Sequence, residues 1–287
     1  MHALASPQRL QAREARAPQL ADHAVQALVE EALLTPKPAL VDQRGAGAHQ
    51  DLDLARLLRS AQSLRGSFHG MALQARRASP QLRLREVLGG LGRQAETHML
   101  AATGGSNAHR GAIWVLGLLV AALAMAEPGA RLAQIAALAA RLAQMPDRFA
   151  PHARSNGARA CRRFGVGGAR GEAAAGFPHV FKVGLPALYA TRARAGGETH
   201  ARLDALMAIM ATLDDTCLLH RGGLPAVEAA QAGAAKVLAL GGTATAAGWA
   251  ALLGLDAALL RLNASPGGAA DLLAACLFLD RVQSQGV

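Results

Sequence analysis

Five stretches of this sequence carry side chains whose type and spacing could do chemistry. In Thr35-Pro-Lys-Pro-Ala-Leu-Val-Asp42, two prolines impose an extended segment that presents Lys37 and Asp42, with His49, Asp51 and Asp53 just beyond. A lysine can hold a phosphate as a point charge, and carboxylates can bind Mg²⁺ or act as bases. Next, Glu96-Thr97-His98 precedes Gly104-Gly-Ser-Asn-Ala-His-Arg-Gly111, a glycine turn that opens a very apolar helix. Free N–H groups there, near Ser106, Asn107, His109 and Arg110, would suit an anion. In Gly165-Val-Gly-Gly-Ala-Arg-Gly-Glu-Ala-Ala-Ala-Gly-Phe-Pro178, a glycine-rich loop carries Arg170 and Glu172 and could close over a phosphate. It is not GxGxxG, and GxxxxGK[ST] occurs nowhere, so neither nucleotide fingerprint applies.

The fourth stretch, Leu203 to Gly223, is the sharpest. Leu203, Leu206, Met207, Met210 and Leu213 form an apolar stripe, and helical spacing predicts Asp214 on it, with Asp215 beside it on a face of small residues. A buried carboxylate is costly unless paired or metal-bound. Tandem acids followed by His220 and Arg221 therefore suggest Mg²⁺ and a phosphate ester. The fifth, Asn263-Ala-Ser-Pro-Gly-Gly-Ala-Ala-Asp271, again opens a helix at a glycine turn and offers Ser265, Gly267 and Gly268 to an anion. Each stretch also has a purely structural reading: caps at Asp51, Ser106, Asn107 and Asp271, a plain loop at 165–178, and a buried Asp–Arg pair at 214–221.

These stretches need helices to position them. Periodicity predicts helices at Leu20–Leu34, Asp51–Arg77, Leu84–Met99, His109–Met125, Arg131–Met145, Pro186–Arg194, Glu198–Leu219, Leu224–Leu240, Thr243–Leu262 and Gly268–Val282. The segment from Pro146 to Pro178 reads as loop with a short helix inside. No strict alternation marks a strand. The expectation is an all-α chain, a single compact domain of about ten helices over 1–287, with 1–18 as an N-terminal arm that could be disordered.

Composition supports this. The chain has 287 residues, of which 52% are apolar and only 3% aromatic, so it can bury a core and does not suit a β-sandwich or a base-stacking RNA binder. The net charge of +10 comes from 27 Arg and 3 Lys against 20 acids. The arginines are scattered, and no helix is dense in them, so no nucleic-acid partner is expected. Cys161, Cys217 and Cys276 form neither a CxxC pair nor a disulfide ladder, and Met1–Arg16 lacks an apolar signal core. The longest apolar run, Ala112–Ala126, is about 15 residues, short for a membrane span. A cytoplasmic protein with no membrane association is expected.

Glycine-opened helix starts, acid clusters and Arg/His pairs imply a polyphosphate with a divalent cation. Beyond that, Leu34–Asp42, Gly47–His49, Asn107–Ile113, Gly171–Pro178, Leu213–Gly223 and Ser265–Leu273 together resemble the motifs of the triphosphoribosyl-dephospho-CoA synthase family, in family order and over nearly the whole chain from about residue 25. The resemblance is closer to the malonate decarboxylase branch than to the citrate lyase branch. Ala39 and Ala108 stand where the family prefers Gly and Thr.

The resemblance implies a transferase that joins ATP and 3′-dephospho-CoA and releases adenine. Its product is the prosthetic-group precursor of the malonate decarboxylase acyl carrier subunit, which a separate transferase then modifies. On this reading Lys37, Arg110, Arg170 and Arg221 hold the triphosphate, with Ser106, Asn107, Ser265, Gly267 and Gly268 contributing to binding. Asp214 and Asp215 hold Mg²⁺. Asp42, His49 or Glu172 acts as base, and His109 or His220 protonates adenine. A homodimer through the Thr243–Leu262 helix is a further expectation. The alternatives are an Mg²⁺-dependent N-glycosidic hydrolase and a non-enzymatic helical scaffold or carrier-protein chaperone.

Overall fold

A computed structural model describes residues 7–151, 155–194 and 196–287, with side chains from residue 15 on. The expected arm over 1–18 falls partly outside these limits; from Pro7 onward the chain is helical, and Arg16 is buried, donating to the carbonyls of Leu123 and Ala126. The elements are α1 (Pro7–Leu33), α2 (Leu54–Ser63), α3 (Arg65–Ala75), α4 (Leu82–Thr103), α5 (Arg110–Met125), α6 (Leu132–Gln144), α7 (Asn156–Phe164) and α8 (Gly168–Ala174). A π-helical turn (His179–Gly184) leads into α9 (Leu185–Ala193), α10 (Glu198–Met210), α11 (Thr216–Ala239), α12 (Ala246–Arg261) and α13 (Gly267–Ser284). The described residues contain no strand, only an isolated bridge between Asp42 and Gly45. The chain is all-α, as expected, with thirteen α-helices rather than about ten.

The centre is built from helices that are apolar all round, as a helix buried on every side must be. In α5 every residue from Val115 to Ala124 is buried, and α1, α3, α4, α6, α8 and α13 pack on it. In α13 the run Leu272–Leu279 is buried and packs on α1, α5 and α10. One contiguous core runs from Ala17 to Val282. The helix α12 lies outside, packed on α11. No helix among the described residues is long and apolar enough to cross a membrane.

Several boundaries differ from the expected ones: Pro146–Pro178, expected as loop with one short helix, holds both α7 and α8, and three further differences have a clear local cause. The predicted helix Asp51–Arg77 is two, parted at Leu64, and its cap is Asp53, whose carboxylate accepts the Arg56 amide at 2.7 Å. The predicted helix Glu198–Leu219 stops at Met210. Residues 211–215 form a turn, and a new helix begins where the Asp215 side chain caps α11. The stop predicted at Gly222-Gly223 is a kink instead: Gly223 has φ 67 and ψ −159, and Pro225 restarts the helix within its first turn, where it needs no N–H partner.

Candidate active site

The N-termini of α5, α11 and α13 meet at one place, and carboxylates of the chain occupy their amides. Asp215 accepts the Cys217 N–H of its own helix at 2.7 Å and the Ala269 N–H of α13 at 2.9 Å, so one buried side chain caps two helices. Gly268 lies against it: a Cβ there would come within 2.8 Å of Asp215 Oδ1. Asp271, one turn into α13, accepts the Ala112 amide at the start of α5 and fills the space beside Gly111. Burial raises the pKa of Asp215 despite its amide bonds. Burial, then the charges of Asp215 and Glu31, push Asp271 well above the usual carboxylate range. A methyl on Gly111 would overlap the Asp271 carboxylate. Gly111→Ala should therefore lower stability by about 1–3 kcal/mol through overpacking and a lost amide bond. A denaturant midpoint equal to wild type would show instead that the carboxylate can turn away freely.

The proline-framed loop closes one side. Lys37 is 1% exposed, and its Nζ donates to the Glu31 carboxylate and carbonyl, both at 2.6 Å. Asp42 is equally buried. It accepts the Lys37 and Arg44 amides at 2.8 Å and the Arg44 side chain. Burial alone would raise the Asp42 carboxyl, but the Arg44 side chain and these amides outweigh it and hold it below its ordinary value. Arg44 and the Ala39 amide reach Asp256 of α12, which fixes the loop to that helix. Both predicted site residues are thus already engaged, Lys37 by Glu31 of α1 and Asp42 within the loop.

His49 faces the junction. Arg221 donates to the Ala48 carbonyl at 2.7 Å and to His49 Nδ1 at 3.0 Å. A guanidinium can only donate, so Nδ1 accepts and Nε2 carries the proton, donated to Ser265 Oγ at 3.0 Å. Burial, then the Arg221 charge, lower His49 to about 4, against a weaker pull from Asp51. The ring is neutral at physiological pH. An NMR titration of the folded protein should find this imidazole still neutral at pH 6, and a midpoint near 6.5 would mean that it is hydrated rather than held.

Across α5 the expected anion turn is tied off by its own groups. Ser106 donates to the Asp51 carbonyl, Asn107 accepts the Arg110 amide, and Arg110 pairs with Glu96 at 2.9 Å. His109 is buried with Nδ1 2.7 Å from Ser60 Oγ; burial, then Lys37, lower it to about 4. His220 is exposed, and burial, then Arg159 and Arg221, lower it.

The glycine-rich segment lies against the start of α11. A Cβ on Gly168 would meet Cys161 Sγ at 2.6 Å and Thr216 at 3.1 Å, and Trp114 of α5 donates to the Ala169 carbonyl. Arg170 is exposed. Glu172 is buried and accepts both the backbone N–H and the ring Nδ1 of His179 at 2.8 Å. The predicted burial of Asp214 is reversed: because α10 ends at Met210, Asp214 is exposed and Asp215 is the buried one. The nearest partner of Asp214 is the Gln231 amide at 3.5 Å.

The structure thus gathers His49, Arg221, Ser265, Gly267, Gly268 and Asp215 at one junction, with the turn that carries Asp214 leading into it, whereas Arg170 lies on the exposed side of α8, within electrostatic reach of Arg85 of α4. Lys37 and Asp42 lie buried behind the loop surface, and Arg110 with Ser106 lies at the outer entry of α5. Sequence reasoning missed Glu31, Asp271's contact with α5, and His179. Only the first has a local signal, an acid six residues before Lys37 across a helix end. Among the described residues no three His, Cys, Asp or Glu are grouped to hold a metal.

Residues 17–286 match the family described as ATP:dephospho-CoA triphosphoribosyl transferase (CitG). The chain is similar to a 2-(5''-triphosphoribosyl)-3'-dephosphocoenzyme-A synthase of Klebsiella pneumoniae, 56% identical over 269 residues, covering 94% of this chain and 96% of that one. It is also similar to two proteins named as probable synthases of the same kind. That of Stutzerimonas stutzeri is 58% identical, covering 93% of this chain and 92% of its own. That of Pseudomonas paraeruginosa is 57% identical, covering 92% and 90%. No solved structure matches. With a match of this extent over the motifs that build the junction, the chain belongs to the ATP:dephospho-CoA triphosphoribosyl transferase family.

Proposed function

We propose that this chain transfers the 5-triphosphoribosyl group of ATP to the 2′-hydroxyl of 3′-dephospho-CoA and releases adenine. The observation that carries the reading is the junction itself: Arg221, His49, Ser265 and Gly268 come from three distant segments and meet at the start of α11, beside the glycine-rich segment. On this reading Arg221, exposed at the junction, holds the triphosphate, and Arg170 is a further cation for it from the glycine-rich segment. Ser265, itself buried, accepts from His49 and so fixes the ring beside Arg221. Asp42, His49 and Glu172 remain the expected bases on this reading; each already accepts a bond from the chain, Asp42 from Arg44, the Nδ1 of His49 from Arg221 and Glu172 from His179.

Mg²⁺ fits this site through one of the two expected carboxylates. Magnesium is commonly held by one or two carboxylates plus substrate phosphates, not by a full protein cage. Asp214 is exposed and meets that requirement. Asp215 is buried with its oxygens on two helix amides, so its part is to fix the turn that carries Asp214. When bound, the ion would spread the charge of the triphosphate. By the same reading the protein acts in the cytoplasm, and its product is the prosthetic-group precursor for the malonate decarboxylase acyl carrier subunit, attached there by a separate transferase. A homodimer through α12 belongs to the same proposal, and light scattering reads it directly.

One incubation with ATP, Mg²⁺ and 3′-dephospho-CoA tests the reaction by mass spectrometry. Free adenine together with a triphosphoribosylated CoA adduct is expected. Adenine with free ribose triphosphate would replace transfer by hydrolysis. Neither product, from a folded protein that ATP does not stabilise against heat, would leave a non-enzymatic scaffold.

A further inference from the structure

The mechanism so far has no acid for the departing base. The expected candidates, His109 and His220, are poor ones. The first is buried beside Lys37, and the second faces Arg159 and Arg221. His179 stands differently. Glu172 Oε1 accepts its backbone N–H and Oε2 its ring Nδ1, both at 2.8 Å. The carboxylate side chain is 8% exposed and the imidazole 20%, so the pair is anchored at one end and reachable at the other. With Nδ1–H on Glu172, the second ring proton lies on Nε2, where the Thr212 carbonyl, in the turn that carries Asp214, accepts it and a purine nitrogen entering beside that turn would take its place. The local backbone is shaped around this pair. Phe177 is buried at φ 57, a left-handed conformation that a bulky residue rarely adopts, and its N–H bonds the Glu172 carbonyl at 2.8 Å. The π-helical turn begins at His179 itself. Rare conformations of both kinds gather at functional sites.

We propose that His179, oriented by Glu172, is the general acid that protonates the departing adenine, an inference that rests on the transfer reaction set out above. The bond from the 2′-oxygen of dephospho-CoA to C1′ forms while the C1′–N9 bond breaks. The electron pair of the broken bond passes to the purine, His179 Nε2 gives its proton to a purine ring nitrogen, and adenine leaves neutral. The proton of the attacking hydroxyl passes to solvent, from which His179 is reprotonated. The ring is suited to this. The bond to Glu172 outweighs burial and raises its pKa, whereas His49, His109 and His220 are all lowered. Glu172 is then a positioning residue rather than a base.

The test compares His179→Gln with wild type on ATP and on N7-methylated ATP, whose purine leaves neutral without a proton. Purine release and CoA adduct are followed in single turnovers. On ATP the variant should lose about 10²–10⁴-fold, the usual worth of a placed acid. On the methylated substrate it should stay within about tenfold of wild type. Equal losses on both substrates, or a loss on ATP below tenfold, would overturn the assignment. If His179→Gln does not fold, Glu172→Gln replaces it, with the same direction and a smaller loss on ATP alone. Wild type that makes no adduct from ATP overturns the transfer reading and this inference with it. Wild type that transfers while the variant loses equally on both substrates overturns only the role of His179.

Discussion

Glu31→Gln should lower the stability of the folded chain by about 3–5 kcal/mol, the usual result of removing one partner of a buried ion pair. Lys37 is 1% exposed, and its ammonium has two described acceptors, both on Glu31. The substitution keeps the backbone acceptor and removes the only described counter-charge within ion-pair distance. The cost is the desolvation of a lone ammonium, not the worth of the pair. Replacing both residues at once, Glu31→Gln with Lys37→Met, should therefore recover much of the loss. For a chain of this size the single variant should melt roughly 10 °C below wild type. A loss under about 1 kcal/mol would mean that water reaches the pair. The same variants settle the role expected for Lys37 from sequence. If it only anchors the loop, Glu31→Gln with Lys37→Met leaves nucleotide affinity at the wild-type value once the protein is folded.

This pair illustrates what the sequence could and could not reveal. Helix α5 was legible because an unbroken apolar run too short to cross a membrane has one physical solution, burial on every side. The breaks at Pro36 and Pro38 were legible for the same local reason. The turn at 211–215 was not. The Leu/Met stripe runs on to Leu213, so periodicity carries the helix through it, and the side-chain cap of Asp215 looks like one more interior acid. That single error exchanged the environments of Asp214 and Asp215. Pairing was also hidden. Whether Lys37 or Arg110 is free to hold a phosphate depends on Glu31 and Glu96, and residue type alone does not say that these acids reach back to them. His179 lies seven residues from Glu172, but α8 ends at Ala174 between them, so helical spacing does not bring them together. A left-handed Phe177 and a π-helical turn bring the two together, and neither has a sequence signature as regular as a cap or a glycine turn.

The exchange of the two aspartates leads to a crossed pair of effects. Asp214→Asn should cut kcat/KM for adenine release by about 10²–10³-fold and raise the Mg²⁺ concentration needed for half-maximal rate, with stability within about 0.5 kcal/mol of wild type. The side chain is exposed and holds only a long contact to Gln231, so the fold does not depend on its charge. A loss of that size is about 3–4 kcal/mol of transition-state stabilisation, within reach of a metal ion on a developing polyphosphate charge. Asp215→Asn should behave oppositely. The amide puts an NH2, which cannot accept, where the carboxyl has a second oxygen that can accept whether ionised or protonated, so either the Cys217 or the Ala269 N–H loses its bond, at about 1–3 kcal/mol of stability. Part of this returns, because burial disfavours the charge of Asp215 in the fold. A carboxyl whose folded pKa is raised contributes stability below its unfolded pKa and loses it as pH rises through the folded one. The deficit of Asp215→Asn should therefore be largest in acid, where wild-type Asp215 is protonated, and shrink as the pH rises. Adenine release against Mg²⁺ concentration, and denaturant midpoints between pH 4 and 8, read both halves. Wild-type rate and Mg²⁺ dependence in Asp214→Asn would remove the metal from this carboxylate. An unchanged midpoint in Asp215→Asn at acid pH would show that the two helix starts do not need a shared cap.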